Sequence, residues 1–337
     1  MMQLKPIEQQ VVVVVGASSG IGREAALRFA QRGAKVVVAA RSEAGLRSLV
    51  EEIQREGGEA TAIAADVTSF ADMQAVAERA ATTYGRLDTW VHAAAVAVYA
   101  TFEQTTPEEF RRVIEVNLVG QAHGAMAALP HLRREGRGAL IHISSIEARR
   151  AFPYHSAYAA SKHGIDGFLE VLRVELRREG VPIAVTNVMP AGINTPLFNK
   201  ARTKLGVKPM PAPPIYQPNT VADLILYAAE HPTRDLIAGG AGRAFLLNQR
   251  LSPRLMDAIV TRFGFRVQET DEPKSVDAPT NLFAPIQGYD RVEGDFSDQA
   301  LRRSLYNWLE MRPLLTRTVM LVTALGVLAR RAGRRGA

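Results

Sequence analysis

Residues 11–22 read VVVVVGASSGIG. Five consecutive β-branched residues ending at a glycine have the pattern of a strand buried on both faces, as at the centre of a parallel sheet. Gly16, Gly20 and Gly22 follow, and glycine permits a backbone turn that a side chain would block. IGREAALRFAQRG then places apolar residues at Ile21, Ala25, Leu27, Phe29 and Ala30 and closes on Gly33, as an amphipathic helix with a C-terminal glycine would. Strand, glycine turn and helix together predict a phosphate site at the helix N-terminus, where backbone N–H groups and the helix dipole both favour an anion.

The same alternation continues along the chain. KVVVAA precedes a helix to about Glu56, and ATAIAAD precedes a helix through Tyr84. LDTWVHAAAV leads to a long helix from about Pro107, and ALIHIS to a helix from about His155 to Glu179. PIAVTNV reads as a sixth strand and RDLIAGG as a last one. Such alternation implies right-handed βαβ crossovers, hence an α/β doubly wound parallel sheet of Rossmann type in a single domain with a C-terminal extension. The expected divisions are a catalytic domain at 1–250, an extended acidic, proline-containing arm at 251–300, and a basic helical tail at 301–337. KPMPAPPIYQP reads as a loop leaving the sheet. Residues 264–300 carry eight acids, three bases and three prolines, with Phe283, Tyr289 and Phe296 as candidate anchors of an arm lying on the body.

The 337 residues, 47% apolar, suffice for a large core. There is no cysteine, and the seven histidines include no close metal-like pair; disulfides and thiolate sites are excluded, and no metal site is expected. MMQLKPIEQQ has no long apolar stretch before the first strand, so a cytoplasmic protein is the default. The net charge of +7 would suggest nucleic acid were it spread over the body. It is not: from Leu301 onward there are eight arginines and one glutamate, leaving 33 basic and 33 acidic residues in positions 1–300. A neutral body lacks the basic face that duplex binding needs.

At the end of the second strand, where a carboxylate would bond the free ribose of NAD, the sequence has Ala40 followed by Arg41. An arginine there suits the 2′-phosphate of NADP(H). Further on, Tyr158 and Lys162 stand four residues apart on an expected helix, and so face the same side. A phenol with a pKa near 10 is about one part in a thousand ionised at neutral pH, and a nearby ammonium is expected to lower that pKa.

On these residues the chain resembles the short-chain dehydrogenase/reductase family, over about residues 8–240. GASSGIG resembles its cofactor turn, with contacts at Gly16, Ser18, Ser19, Gly20, Ile21 and Gly22, and DVT at Asp66–Thr68 resembles its adenine-binding segment, with Asp66 and Val67. Asn117 in EVNL, Ser145 thirteen residues before Tyr158, and Lys162 match the family's Asn-Ser-Tyr-Lys tetrad. PAGINTP resembles the segment that holds the nicotinamide, with Pro190, Ile193 and Thr195. The resemblance implies hydride transfer between NADP(H) and a carbonyl or secondary alcohol. Tyr158 would exchange the proton, Ser145 would hydrogen-bond the reacting oxygen, Lys162 would hold the ribose and tune Tyr158, and Asn117 would support a proton path through its backbone. The competing class is a catalytically silent NADP-binding scaffold on the same fold.

Three departures stand out. Val15 replaces a usual threonine, HAAA at His92–Ala95 replaces Asn-Asn-Ala-Gly, and Ala191 replaces a glycine; together they put sheet-edge geometry in question more than catalysis. His92 reads as a core histidine with its hydrogen bonds met. Val96, Glu147, Tyr154, His155, Leu197 and Phe198 are the candidate substrate contacts, a mostly apolar set suited to a bulky hydrophobic carbonyl compound. The expected partners are that small molecule and further copies of the chain in a homo-oligomer. In the tail, the charge-free stretch Thr318–Ala329 is twelve residues, about 18 Å as helix against roughly 30 Å of bilayer hydrocarbon. A peripheral contact of 313–337 with anionic lipid and packing on protein remain alternative readings.

Overall fold

The computed structural model describes residues 2–312; the tail reading for 313–337 lies outside them. Seven parallel strands form the central sheet: β1 (Val11–Val15), β2 (Lys35–Ala40), β3 (Glu59–Ala64), β4 (Thr89–His92), β5 (Gly138–Ile143), β6 (Ile183–Pro190) and β7 (Asp235–Ala238). Their order is β7-β6-β5-β4-β1-β2-β3, the doubly wound arrangement expected.

The five valines of β1 explain the arrangement. Val12 and Val14 point into one core and Val11, Val13 and Val15 into the other, and all five are buried. Each contributes about 1.5–3 kcal/mol by burial. On the first face pack α1 (Gly20–Gln31), α2 (Glu43–Arg55) and α8 (Asn219–Glu230). On the second lie α3 (Phe70–Tyr84), α5 (Gly120–Arg134) and α6 (Ser156–Arg178). The chain leaves β1 toward β2 on one side, while β4 lies on the other. The strand order thus reverses beside β1, and a crevice opens at the strands' carboxyl ends.

The substituted positions do not disturb this sheet. Val15 pairs in register with His92, and the Ala93 N–H donates to the Val15 carbonyl at 2.8 Å. The strand expected through LDTWVHAAAV stops at His92, and, four residues on, the backbone of Val96 is held by the Asn117 side chain. Its Oδ1 accepts from the Val96 N–H at 2.8 Å and its Nδ2 donates to the Val96 carbonyl at 2.9 Å. His92 is fully buried in the core, but contrary to expectation neither ring nitrogen has a partner among the described residues. Burial, His142 and Lys162 hold its pKa well below the usual value, so the ring is neutral and stacks on His142 at 6.0 Å.

The region 251–300 is not extended throughout. After α9 (Gly240–Leu251) comes a further helix, α10 (Pro253–Phe263), opened by Pro253 in its first turn. Glu269–Pro273 then pairs antiparallel with Val207–Pro209, and the chain runs back across the carboxyl ends of the sheet. Its anchors are Leu282, fully buried, and Phe296, packed edge-on against Phe198. Phe283, expected to anchor, is 60% exposed. Leu282 reaches the second core because Arg112 holds its carbonyl at 3.1 Å.

Two glycines make the turn after β1. Gly16 has φ +83°, and a Cβ there would lie 2.5 Å from the Ala94 nitrogen. Gly22 sits in α1, where a Cβ would meet the Gly16 carbonyl oxygen at 2.3 Å. Gly22→Ala must therefore push α1 off the turn; it is expected to cost on the order of 2–4 kcal/mol, read as a lower Tm, and to remove dinucleotide binding measured by calorimetry.

Candidate active site

The crevice is a cavity of about 540 Å³. At one end it is walled by the glycine turn. Gly16, Ser18, Ser19, Gly20, Ile21 and Gly22 all line it, with Arg41 and Val67 beyond them. At the other end are Ser145, Tyr158 and Lys162, and between the two lie Pro190, Ile193 and Thr195. Two expected residues stand off the wall. Asp66 turns its carboxylate to the Thr68 N–H and hydroxyl, at 3.0 and 2.9 Å, and to Arg112 at 3.0 Å. Asn117 sits in a π-turn (Glu115–Val119) between α4 (Pro107–Ile114) and α5 and spends its side chain on Val96 and, at 3.3 Å, on Ser161.

A nicotinamide dinucleotide requires backbone donors at a helix N-terminus and polar groups at the reacting end of one groove. The residues fit that demand, since the glycine turn keeps side chains out of the space above α1 and the polar trio closes the far end. Lys200, at the end of the helical turn Leu197–Lys200, adds a cation that the sequence did not single out. Its Nζ donates to the Ser19 hydroxyl at 2.6 Å. Burial lowers its pKa to about 8, against the pull of Asp290.

The returning segment closes the adenosine end. Arg41 donates to the carbonyls of Asn281 at 2.6 Å and Phe283 at 3.2 Å, and the Gly20 N–H donates to the Arg291 carbonyl at 2.9 Å. Asn281, Pro285, Ile286 and Asp290 line the cavity from that segment. The Asp290 carboxylate accepts from the Ser42 hydroxyl at 3.4 Å, so an acid does stand near the second strand's end, delivered from 250 residues away. No local motif could have revealed it.

At the reacting end, Lys162 lies one turn after Tyr158 on α6, and its Nζ is 5.3 Å from the phenol ring centre. That ammonium donates to the Ile143 carbonyl at 2.9 Å rather than to the phenol. The expected lowering of the Tyr158 pKa is consequently not found. Burial and the Glu147 carboxylate push it up, and only the Ser145 hydrogen bond pulls it down. Burial brings Lys162 down to about 7. Tyr158 is thus a protonated phenol at neutral pH, ready to donate to an oxygen placed between it and Ser145.

Val96, Glu147, His155, Leu197 and Phe198 line the same end, but Tyr154 does not. Its hydroxyl donates to Glu269 at 2.7 Å and its ring packs on Phe265, with φ at +69°. Two polar residues of the expected set stand in this mostly apolar wall. Glu147 holds His155 Nδ1 at 2.7 Å and accepts from the Phe152 N–H at 3.3 Å. His155 Nε2 is left without a partner among the described residues, and the ring stands 5.5 Å from that of Tyr158.

Lysine burial has a pH signature. A lysine whose folded pKa, about 7, lies below its usual 10.5 costs stability at and below pH 7, and the cost fades as pH rises toward 10.5. Lys162→Met is therefore expected to stabilise the ligand-free protein by on the order of 3 kcal/mol near pH 7. The difference in Tm from the unaltered chain should shrink steadily when the melts are repeated toward pH 10.

Comparison with known proteins agrees with this geometry. The short chain dehydrogenase family model matches residues 10–206. An uncharacterized oxidoreductase of Bacillus subtilis (strain 168), YxnA, is 36% identical over 322 residues, covering 95% of this chain and 90% of its own length. The 3beta-hydroxysteroid dehydrogenase 1 of Eggerthella lenta is 36% identical over 193 residues, 57% of this chain and 73% of that protein. Among solved structures, an alcohol dehydrogenase of the archaeon Thermococcus sibiricus, complexed with 5-hydroxy-NADP, superposes with a TM-score of 0.59 at 24% identity, covering 68% of this chain and 95% of that one, a likeness of fold. The matched span carries both the glycine turn and the Ser145–Tyr158–Lys162 cluster, and the chain belongs to the short-chain dehydrogenase family, whose members are oxidoreductases using a nicotinamide cofactor.

Proposed function

We propose that the protein is an NADP(H)-dependent reductase of bulky hydrophobic carbonyl compounds, or in reverse a dehydrogenase of the corresponding secondary alcohols. One observation carries this reading: a half-buried phenol, a buried hydroxyl and a buried amine meet at one end of a cavity whose other end is a glycine turn over a helix N-terminus. When bound, the nicotinamide supplies or accepts the hydride at the carbonyl carbon. The chain's residues do the rest. Ser145 donates a hydrogen bond to the substrate oxygen, and Tyr158 transfers its proton there as negative charge develops. Lys162 sits one turn away to restore that proton and to orient the ribose. Backbone N–H groups of the turn and the Lys200 ammonium hold the pyrophosphate, and Thr195 the carboxamide.

Apolar walls from Val96, Leu197, Phe198 and Phe245 support a hydrophobic substrate, as does the similarity to a hydroxysteroid dehydrogenase. For NADP(H), the support is Ala40 at the strand end and Arg41 at the adenosine end. Its acceptors there are neutral carbonyls, which a phosphate dianion outcompetes.

Tyr158→Phe removes only the proton donor. It is expected to lower kcat for carbonyl reduction by about 10²–10⁴ while NADPH affinity is retained, as measured by NADPH oxidation with ketones, aldehydes, steroids and quinones; turnover equal to the unaltered enzyme would refute the assignment, and silence of the unaltered enzyme with every compound would favour a nucleotide-binding scaffold. Binding should favour NADPH over NADH by about tenfold or more, and Arg41→Ala should erase most of that preference. Equal affinities in the unaltered protein would count against NADP(H).

A further inference from the structure

The helical pair α9–α10 presents two different faces. Inward, Phe245 stacks on Phe152 at 5.1 Å and lines the substrate end of the cavity, while Met256 and Val260 are buried. Outward, Leu247, Leu251, Leu255, Ile259 and Phe263 follow at four-residue steps across both helices, between 40% and 73% exposed. Five large apolar side chains left exposed on two short helices in contact with each other mark an interaction surface. Around it stand Arg250, Arg254, Arg262 and Arg266, all exposed, while Arg243 lies beside the Glu310 carboxylate. The single acid of residues 240–266, Asp257, is engaged by Arg150 at 2.6 Å.

We propose that this face lies on an anionic lipid surface, the apolar row entering the acyl boundary and the arginines meeting the headgroups. Charge selects that occupant over the two alternatives. A second copy packed about a two-fold axis would set the same four arginines against themselves. Residues 313–337, which follow α11 (Leu305–Glu310) where Tyr306 packs against Gly240 of α9, hold five arginines and no acid, so they too are repelled by this face. An anionic bilayer attracts both the face and that segment. Resting on the function proposed above, the same geometry gives a hydrophobic substrate a route from the lipid past Phe152 and Phe245 to Tyr158.

The test is flotation of the full chain with phosphatidylglycerol–phosphatidylcholine vesicles and with phosphatidylcholine vesicles alone, at low and high salt. The chain should float with the anionic vesicles and be released by salt. Leu251→Glu combined with Leu255→Glu and Phe263→Glu, and separately Arg250→Gln with Arg254→Gln, should each weaken partition by about tenfold or more. NADPH binding and carbonyl reduction in vesicle-free buffer should be unchanged, which reports an intact fold independently of lipid. Unaltered flotation of both variants would assign lipid contact to residues 313–337 and overturn the proposal. So would a face whose substitution changes only the sedimentation of the protein, which would make it a contact between copies. Loss of reduction with lipid binding intact would instead strike the functional reading.

Discussion

The site depends on one close approach, that of Gly22 in α1 to the carbonyl of Gly16. The contact lets the helix begin directly above the end of β1, so that its first N–H groups face the crevice instead of the solvent. β1 can support it because its own position is fixed from both sides, alternate valines being locked into two separate cores. A strand anchored on one face only could slide or tilt to relieve a crowded turn. With both faces packed at core density, the crowding is met by removing side chains from the turn.

A second layer of construction is laid over this frame by residues far along the chain. The segment from Glu269 to Leu301 adds little core of its own, and it is held largely through backbone groups: Arg41 to two of its carbonyls, Gly20 to a third, and Asn194 to the N–H groups of Gly294 and Phe296. These attachments coincide with the groups that would meet the adenosine phosphates. On the function proposed above, an incoming anion would compete with the returning chain for Arg41 and the N–H of Gly20, and cofactor affinity would include the cost of redirecting them.

The doubly wound parallel sheet and the glycine turn were legible in the sequence because each rests on local pattern: β-branched runs, glycines at a fixed offset, and helical periodicity between them. Tyr158 and Lys162 were legible for the same reason, since four residues on a helix fix their common side. Long-range delivery was not. Asp290 and Asn281 reach the cavity, and Leu282 rather than Phe283 becomes the anchor, through contacts spanning some hundred residues or more, which no window of sequence encodes. Lys200 was hidden as an ordinary lysine at the end of a four-residue helical turn. Tyr154 was misplaced because its positive φ turns the side chain toward Glu269, a reversal unusual outside glycine.

The protonation of the reacting groups follows from burial more than from their spacing. Withdrawn from water, the amine wholly and the phenol in part, the two groups are each driven toward the neutral form, the phenol upward and the amine downward in pKa. At neutral pH this leaves Tyr158 firmly protonated and Lys162, brought down to about 7, holding its proton loosely. Negative charge brought into the groove would draw Lys162 back toward the ammonium form and, like the Glu147 carboxylate, oppose ionisation of the phenol. The ligand-free pocket thus keeps Tyr158 protonated at neutral pH, the form that donation of a proton to a substrate oxygen requires.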